Sequence, residues 1–312
     1  MSTAWIYAGQ GSQRVGMGCD FYGTYPQVQA IFDSAAAGFD LREMCFDAPL
    51  EILSQTRYTQ PCMAAFAAAV TLLLREQGFA PDITAGLSLG EYAALHAAGV
   101  MDADALIGLL AFRGLAMERS ALDVESRMSA VLGLQEQLVR QAVEEASETG
   151  IVAVTNINCP GQIVIGGGET AVKTAEQRCL ELGARRCMPL NTSGPFHTPL
   201  MEKASLALRE HLATTELLPQ TLPVIFNATG DTATDAEVRG LLCEQVKTTV
   251  LFEKTIQKMV TLGVDKIVEI GPGSVLAGFV RKTAPEIKVV SVDKVSDLDK
   301  VRELYANREG LD

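Results

Sequence analysis

The sequence predicts an α/β fold with a mostly parallel sheet and a small inserted subdomain. Apolar runs of strand length alternate with helix-forming segments in both outer parts of the chain, which is the pattern of a parallel sheet covered by helices. Between residues 128 and 190 the order changes to strand, helix, strand, strand, helix, strand, which is a ferredoxin-like unit. The third observation is a short strand that ends at Gly86 and passes through Ser88 into a helix.

The first part of the chain begins with the strand WIYA at residues 5–8, and a glycine-rich turn follows at 9–13. Apolar residues at helical spacing then predict helices at 26–37, 60–77, 89–99 and 103–120. The apolar run ITAG at 83–86 is of β type and predicts the strand that leads to the serine.

From Met128 the order of predicted strands and helices changes. The elements predicted there are strand 128–134, helix 135–146, strands 151–157 and 162–167, helix 169–183 and strand 184–190. The outer pattern then resumes, with helices at 199–213, 236–246, 252–262 and 274–282 and strands at 223–227, 266–270 and 287–292. We therefore expect a large subdomain at 1–126 and 195–312, and a ferredoxin-like small subdomain at 127–194 that supplies one wall of a cleft beside the serine.

Composition and charge limit the classes of function. With 48% hydrophobic and 21% charged residues, the chain is that of an ordinary globular protein with a large core. The longest apolar run is too short to span a bilayer and the first residues carry no export signal, so we expect a cytoplasmic protein with no membrane partner. A formal net charge of −12 argues against nucleic acid as a partner. The seven scattered cysteines predict reduced thiols, mostly in the core.

The segment Gly86-Leu87-Ser88-Leu89-Gly90 predicts a nucleophile elbow. Glycines on both sides allow a sharp strand-to-helix turn without a Cβ clash, and a serine on such a turn projects its hydroxyl for attack. The helix N-terminus that follows can stabilise an oxyanion, with the Leu89 N–H as a donor. A turn that merely contains a serine explains the five residues equally well, so the rest of the chain must decide.

Three histidines are candidates for the base that such a serine needs. His96 lies two turns along the helix that begins at the serine, roughly 12 Å away at 1.5 Å per residue, which indicates a packed or capping residue. His211 lies in LREHLAT near a helix end and is expected at the surface. His197 lies in the loop SGPFHTPLM at the end of the small subdomain, where it can face the cleft. A loop histidine without a role is the alternative.

Six motifs occur in order along the chain: GQGSQ at 9–13, GLSLGEYAAL at 86–95, Arg113-Gly114, NCPGQIVIGG at 158–167, SGPFHTPLM at 193–201 and VEIGPGSVL at 268–276. Together they resemble the malonyl-CoA:acyl carrier protein transacylases and the acyltransferase domains of fatty acid and polyketide synthases. The resemblance covers nearly the whole chain and implies an α/β-hydrolase-like core with a ferredoxin-like insert. One departure is Leu87, since the family usually has histidine before the serine.

The resemblance implies a catalytic role for five residues. Ser88 would be the nucleophile and His197 the general base, with Gln245 as a polar partner in the site. The backbone N–H groups of Gln10 and Leu89 would form the oxyanion hole.

Three further residues would bind the substrate. By the resemblance, Arg113 would pair with the free carboxylate of a malonyl group, and Phe196 and Met117 would contact the acyl group, with an aromatic at 196 favouring unbranched malonyl. The apolar helix around the arginine agrees with this role, because a guanidinium there needs an anion or a path to water. An ion pair with Glu118 or Glu91 is the alternative.

The implied reaction transfers malonyl from malonyl-CoA to the phosphopantetheine thiol of an acyl carrier protein through a Ser88 acyl-enzyme, in a ping-pong order. It uses the coenzyme A thioester as substrate and no tightly bound cofactor or metal. A serine esterase or thioesterase, or an inactive carrier-binding scaffold, are the alternatives, and the sequence leaves the pathway open. We expect a monomer. Because carriers of these pathways are typically acidic, docking needs a basic patch. Its candidates are Arg185, Arg186, Lys247, Lys254, Arg281 and Lys282.

Overall fold

The computed structural model describes residues 2–122 and 124–306. Its strands are β1 (Ser2–Tyr7), β2 (Ile83–Gly86), β3 (Ser126–Leu132), β4 (Val152–Cys159), β5 (Gln162–Gly168), β6 (Arg186–Pro189), β7 (Val224–Phe226), β8 (Asp231–Thr232), β9 (Val264–Ile270) and β10 (Lys288–Val292). Its α-helices are α1 (Cys19–Thr24), α2 (Pro26–Phe32), α3 (Leu50–Leu53), α4 (Thr56–Glu76), α5 (Leu89–Ala97), α6 (Ala103–Ala121), α7 (Glu136–Ala146), α8 (Glu169–Glu181), α9 (Glu202–Thr214), α10 (Asp235–Gln245), α11 (Phe252–Thr261), α12 (Val275–Thr283) and α13 (Leu298–Ala306). Met1 and residues 307–312, which the predicted large subdomain includes, lie outside the described residues.

The larger sheet has the strand order β10-β9-β1-β2-β7-β8. All neighbouring strands in it are parallel except β7 and β8. Successive side chains of the central strand β1 point to opposite faces, so Trp5 and Tyr7 join one core while Ala4 and Ile6 join another. Helices cover both faces, as a sheet with apolar residues on each side requires. The predicted α/β class with a mostly parallel sheet is confirmed.

The smaller sheet is built from the segment in which the predicted order changes. Its strand order is β4-β5-β3-β6, with every neighbouring pair antiparallel. The helices α7 and α8 bury Val139 and Val172 in a separate core with Val131 and Ile165 of the strands. The chain returns from this sheet through the loop that carries His197, so the loop lies between the two sheets in sequence.

Some elements differ from the predicted ones. The predicted helix 60–77 begins earlier, at Thr56, and holds Pro61 within its first two turns, where the missing N–H removes a single helical bond. The predicted helix 26–37 ends at Phe32, because the Ser34 hydroxyl accepts the N–H of Ala36 and starts a separate 3₁₀ turn. The short strand β8 and the helix α13 were not predicted.

The buried cysteines agree with their prediction. Cys45, Cys62, Cys159, Cys179 and Cys243 are buried, and all seven thiols are free. Most of the cysteines therefore fill the core, as their scattered positions indicated.

Candidate active site

The turn between β2 and α5 is a tight elbow whose glycines provide space. A Cβ on Gly86 would lie 2.0 Å from the carbonyl carbon of Gly90, and a Cβ on Gly90 would lie 2.2 Å from the carbonyl oxygen of Tyr7. The unusual backbone conformation falls on Ser88 itself, at φ 54 and ψ −108. The glycines are thus needed for close approach of the backbone, while the serine carries the strain.

His197 is hydrogen-bonded to Ser88 across the cleft. Its Nε2 lies 2.8 Å from the serine Oγ, and its Nδ1 lies 2.7 Å from the backbone carbonyl of Gln245. A carbonyl only accepts, so Nδ1 carries the proton and Nε2 is free to accept the serine proton. The backbone of His197 has a positive φ of 61°, and its backbone N–H donates to the carbonyl of Val246 at 3.0 Å.

The surroundings of His197 keep its ring neutral. Burial, together with the positive charge of Arg113, lowers the pKa of His197 to about 4. A carbonyl behind the ring does not offset this loss of basicity as a carboxylate would. The ring is therefore available as a proton acceptor over a wide pH range.

Arg113 is completely buried and bonded to neutral groups. Its Nη1 donates to Gln60 Oε1 at 2.7 Å, and its Nη2 donates to Gln245 Oε1 at 2.9 Å and to Ser88 Oγ at 3.1 Å. The guanidinium also lies over the ring of Tyr92, with its carbon 5.1 Å from the ring centroid. The cation is thus oriented toward the reactive serine by two amides and an aromatic face.

Neither acidic alternative partner neutralises this arginine. Glu118 instead lies 3.5 Å from the guanidinium of Arg57. The Glu91 carboxylate accepts the backbone N–H of Asn227, and its burial raises its pKa to about 8. Within residues 2–122 and 124–306, no carboxylate forms an ion pair with Arg113. The buried guanidinium therefore has only neutral hydrogen-bond partners.

Gln245 connects the three functional side chains. Its backbone carbonyl accepts from His197, its Oε1 accepts from Arg113, and its Nε2 donates to the carbonyl of Ser88 at 2.9 Å. The residue is completely buried at the end of α10. The sequence pointed to the side chain as a polar partner, whereas the histidine is oriented by the main chain of this residue.

A cavity of about 270 Å³ opens at Ser88 and His197 between the two sheets. Gln10, Leu87, Met117 and Phe196 line it, together with residues of β3, β4 and β5. Leu89 is the first residue of α5, so its N–H has no acceptor within the helix. The structure thus brings together the residues that the motifs singled out, and Leu87 occupies the cavity wall where the family usually has histidine.

The chain matches a known protein family along almost its whole length. Residues 4–304 match the family model of the acyl transferase domain. The chain belongs to the acyl transferase domain family. It is 38% identical over 293 residues to the malonyl CoA-acyl carrier protein transacylase of Bacillus subtilis, covering 93% of this chain and 92% of that protein. The family resemblance drawn from the motifs is confirmed.

Two solved structures are similar over almost their full length. The MCAT from Streptococcus pneumoniae has a TM-score of 0.93 at 41% identity, covering 97% of this chain and 99% of the other. A malonyl-transacylase solved in complex with a type II PKS acyl-carrier protein has a TM-score of 0.93 at 34% identity, covering 97% of this chain and 100% of the other.

The other two histidines of this acyl transferase lie away from the serine. His96 Nδ1 donates to the carbonyl of Met101 in the loop after α5 at 2.9 Å, so it is a packed residue, one of the two predicted roles. His211 stacks on Phe112, with ring centroids 4.0 Å apart, and is only partly exposed. The expected surface histidine is thus a half-buried stacking residue.

Sequence reasoning missed two residues that touch this acyl transferase site. Gln60 orients Arg113 from α4, and Asn227 bonds the elbow from the end of β7. Each is a buried amide in or beside an apolar run, TQPCMAAFAAAV and PVIFNA, and a polar residue in such a run was the signal available.

Across the described ranges, no group of three or more His, Cys, Asp or Glu side chains is arranged to hold a metal ion. No helix in the same ranges is long and apolar enough to cross a membrane.

Proposed function

We propose that this chain transfers a malonyl group from malonyl-CoA to the phosphopantetheine thiol of an acyl carrier protein through a Ser88 acyl-enzyme. The observation that carries this function is the position of the serine hydroxyl, 2.8 Å from a neutral imidazole and 3.1 Å from a buried guanidinium. A base and a cation without an ion-pair partner both contact this hydroxyl, which suits a substrate that has a thioester and a free carboxylate. The relatives named malonyl CoA-acyl carrier protein transacylase support the same reaction.

The first half-reaction acylates the serine. Ser88 Oγ attacks the thioester carbonyl while His197 Nε2 takes the hydroxyl proton, and the tetrahedral oxyanion is bound by the N–H groups of Gln10 and Leu89. The C–S bond then breaks, and the imidazolium returns its proton to the leaving coenzyme A thiolate. Arg113 holds the malonyl carboxylate so that the thioester carbonyl meets the serine.

The second half-reaction repeats these steps with another thiol. The carrier thiol gives its proton to His197 and attacks the ester carbonyl of malonyl-Ser88. The serine leaves and regains its proton from the histidine, and the malonyl group remains on the carrier. The protein itself supplies the nucleophile, the base and the oxyanion donors, so the reaction uses coenzyme A thioester as a substrate and no bound cofactor.

An acceptor-dependence assay distinguishes transfer from hydrolysis. We expect malonyl-CoA alone to give one equivalent of coenzyme A and a malonylated protein, followed by little further release. Addition of a carrier protein bearing the phosphopantetheine arm should restore continuous turnover, and the carrier without the arm is the control. Continuous release of coenzyme A without any acceptor would instead identify a thioesterase, and no release under either condition would identify an inactive scaffold.

Arg113→Ala tests the origin of substrate selection. The substitution removes a charge-assisted contact worth roughly 1.5–3 kcal/mol, which corresponds to roughly 10- to 150-fold in kcat/KM. We expect kcat/KM for malonyl-CoA to fall by that factor, while kcat/KM for acetyl-CoA is unchanged or rises, because acetyl has no carboxylate. The measurement is the ratio of the two kcat/KM values in both proteins.

Arg57→Ala is the matched control for this test, since Arg57 is an exposed arginine that pairs with Glu118. The control should leave the ratio near its wild-type value. A malonyl-to-acetyl ratio that Arg113→Ala does not change would show that the guanidinium is structural.

The pH dependence of acylation tests the neutral state of His197. Its lowered pKa of about 4 keeps the ring unprotonated at pH 5, whereas an ordinary histidine with a pKa of about 6.5 would be roughly 97% protonated there. We expect kcat/KM for malonyl-CoA to change little between about pH 7 and pH 5, and then to fall as the pH approaches the histidine pKa. Fluorescence of the buried Trp5 at each pH checks that the protein remains folded. A roughly 30-fold loss by pH 5 would contradict the lowered pKa.

Phe196 and Met117 support unbranched malonyl as the acyl group. Both are buried side chains in the cavity wall, Phe196 at 6% exposure and Met117 at 1%. Phe196 directly precedes the base, and its side chain forms part of the wall of the same cavity as His197. A branched acyl group carries an additional methyl group, and a closely packed cavity wall leaves less space for it.

The fold assignment is proposed at a finer level as well. We assign residues 127–194 as a ferredoxin-like subdomain, because the order β4-β5-β3-β6 with antiparallel pairs is what that topology requires. The remainder forms the large subdomain, and its parallel sheet with a serine elbow after β2 supports an α/β-hydrolase-like core. We further propose a cytoplasmic monomer.

A docking surface for the carrier protein is proposed from the exposed basic residues that form no ion pair. Lys247 pairs with Glu202 and Glu244, and Lys254 donates to the carbonyl of Thr229. In the part of the chain that the structure describes, the exposed basic residues of the candidate set without an ion pair are Arg185, Arg186, Lys254, Arg281 and Lys282. The helix α12, which carries the last two, also contributes Val275 and Phe279 to the cavity wall. An acidic carrier protein that binds beside α12 would place its phosphopantetheine thiol near Ser88.

A further inference from the structure

The strained backbone at Ser88 must be held by its surroundings. A residue at φ 54 and ψ −108 costs about 1–3 kcal/mol relative to ordinary backbone and persists only where neighbouring groups fix it. The glycines on either side make room for the turn but do not hold it. The Leu87 N–H donates to the carbonyl of Tyr7 at 3.0 Å, and two side-chain amides, Gln245 and Asn227, bond the backbone on either side of Leu87.

We propose that Asn227 is a positioning residue for acyl transfer, whose amide holds the elbow so that the Ser88 hydroxyl and the Leu89 N–H face the substrate. The inference rests on the proposed function and deepens it. Asn227 Oδ1 accepts the N–H of Ser88 at 2.7 Å, and its Nδ2 donates to the carbonyl of Gly86 at 2.7 Å. The two bonds lie on opposite sides of Leu87 and close the turn.

The chemistry of the two bonds requires an amide. One end of the side chain must accept from an N–H and the other must donate to a carbonyl, which an amide does and a leucine or alanine does not. The two backbone partners also fix which end is oxygen, because a flipped amide would face N–H with NH₂ and carbonyl with oxygen. The bond to the Gly86 carbonyl is buried and the bond from the Ser88 N–H is partly buried, so loss of the amide removes a partner from two backbone groups that have limited access to water.

Asn227 is itself held from both sides. It is completely buried directly after β7, its N–H donates to the Glu91 carboxylate, and its carbonyl accepts the N–H of Leu251 at 2.9 Å. Glu91 lies in the first turn of α5, the helix that begins after Ser88. The strand end, the elbow and the first helical turn therefore form one closed set of hydrogen bonds.

The hydrogen bonds of Asn227 should affect acylation of Ser88 more than binding of malonyl-CoA. The bond to Asn227 occupies the Ser88 N–H, which leaves the Leu89 N–H as the elbow's donor to the oxyanion. A rotation of the peptide that Asn227 holds would move Ser88 Oγ away from its 2.8 Å contact with His197. Arg113 is held by Gln60 and Gln245, so the contact to the malonyl carboxylate does not depend on Asn227.

The test compares Asn227→Leu and Asn227→Ala with wild type in single-turnover acylation by malonyl-CoA. Leucine keeps the side-chain volume, and alanine removes it. We expect the acylation rate constant at saturating malonyl-CoA to fall at least about tenfold in both, while KM changes less than about threefold, because geometry at the serine is lost and substrate contacts remain. Thr71→Val is the matched control, since it deletes a buried hydrogen bond to Tyr7 in the core. It should lower the melting temperature and leave the rate constant within about twofold.

The proposal is overturned if either folded variant acylates within about twofold of wild type, or if the control loses rate by a similar factor. A rise in KM that accounts for the whole loss would also overturn it. Failure of both variants to fold would show a purely structural role. Wild-type protein is measured in parallel, so absence of any malonyl-Ser88 there would reject the proposed function, separately from the role of Asn227.

Discussion

Ser88→Ala is expected to abolish the covalent malonyl adduct and to lower malonyl transfer by more than about 10⁴-fold, because the acyl-enzyme route is lost and, among the described residues, no other nucleophilic side chain is hydrogen-bonded to the base. The hydroxyl is the group that lies between His197 Nε2 and Arg113 Nη2. The measurement is intact mass of the protein after incubation with malonyl-CoA, followed by peptide mapping and a carrier-transfer assay.

The control for this variant is Ser12→Ala. Ser12 lines the same cavity, yet no hydrogen bond within the described ranges joins it to the histidine. Its replacement should leave labelling intact. A malonyl label that maps to any other residue, or that survives in Ser88→Ala, would show that the nucleophile is wrongly assigned.

His197→Ala is expected to lower the rate of acylation by at least about 10²-fold, the low end of the range for general base catalysis. The serine would then have no acceptor for its proton, since the other groups near its oxygen are donors. Binding of malonyl-CoA should be retained, because Arg113 is oriented by Gln60 and Gln245 independently of the histidine.

His96→Ala and His211→Ala are the matched controls for this variant. The first loses a hydrogen bond to the carbonyl of Met101 and the second loses a stacked ring on Phe112, so both are expected to cost stability and not rate. Rates are therefore compared per folded protein, with unfolding followed by the fluorescence of Trp5. Similar rate losses in all three variants would contradict the assignment of His197 as the base.

Local pattern predicted most of the secondary structure. The alternation of strands and helices, and the switch of order after Met128, depend on residues that are neighbours in the chain. The errors lie where a nearby side chain competes with the helix, as at Ser34, or where a segment is short, as at β8. Boundaries of such elements depend on single hydrogen bonds, which periodicity does not report.

The α/β class, a strand-to-helix turn at Ser88 and a set of three candidate bases, of which His197 lies in a loop, follow from the sequence alone. Each follows from short-range information, namely glycine spacing, strand-to-helix order and the chemical nature of one side chain. The partners of Arg113, the atom of Gln245 that bonds the histidine, and the bonds from Asn227 to the elbow become visible in the folded protein. These bonds join segments far apart in the chain, 132 residues for Arg113 with Gln245 and 139 residues for Ser88 with Asn227. Such distances close only when the sheets pack, and no local pattern encodes which buried amide then faces which backbone group.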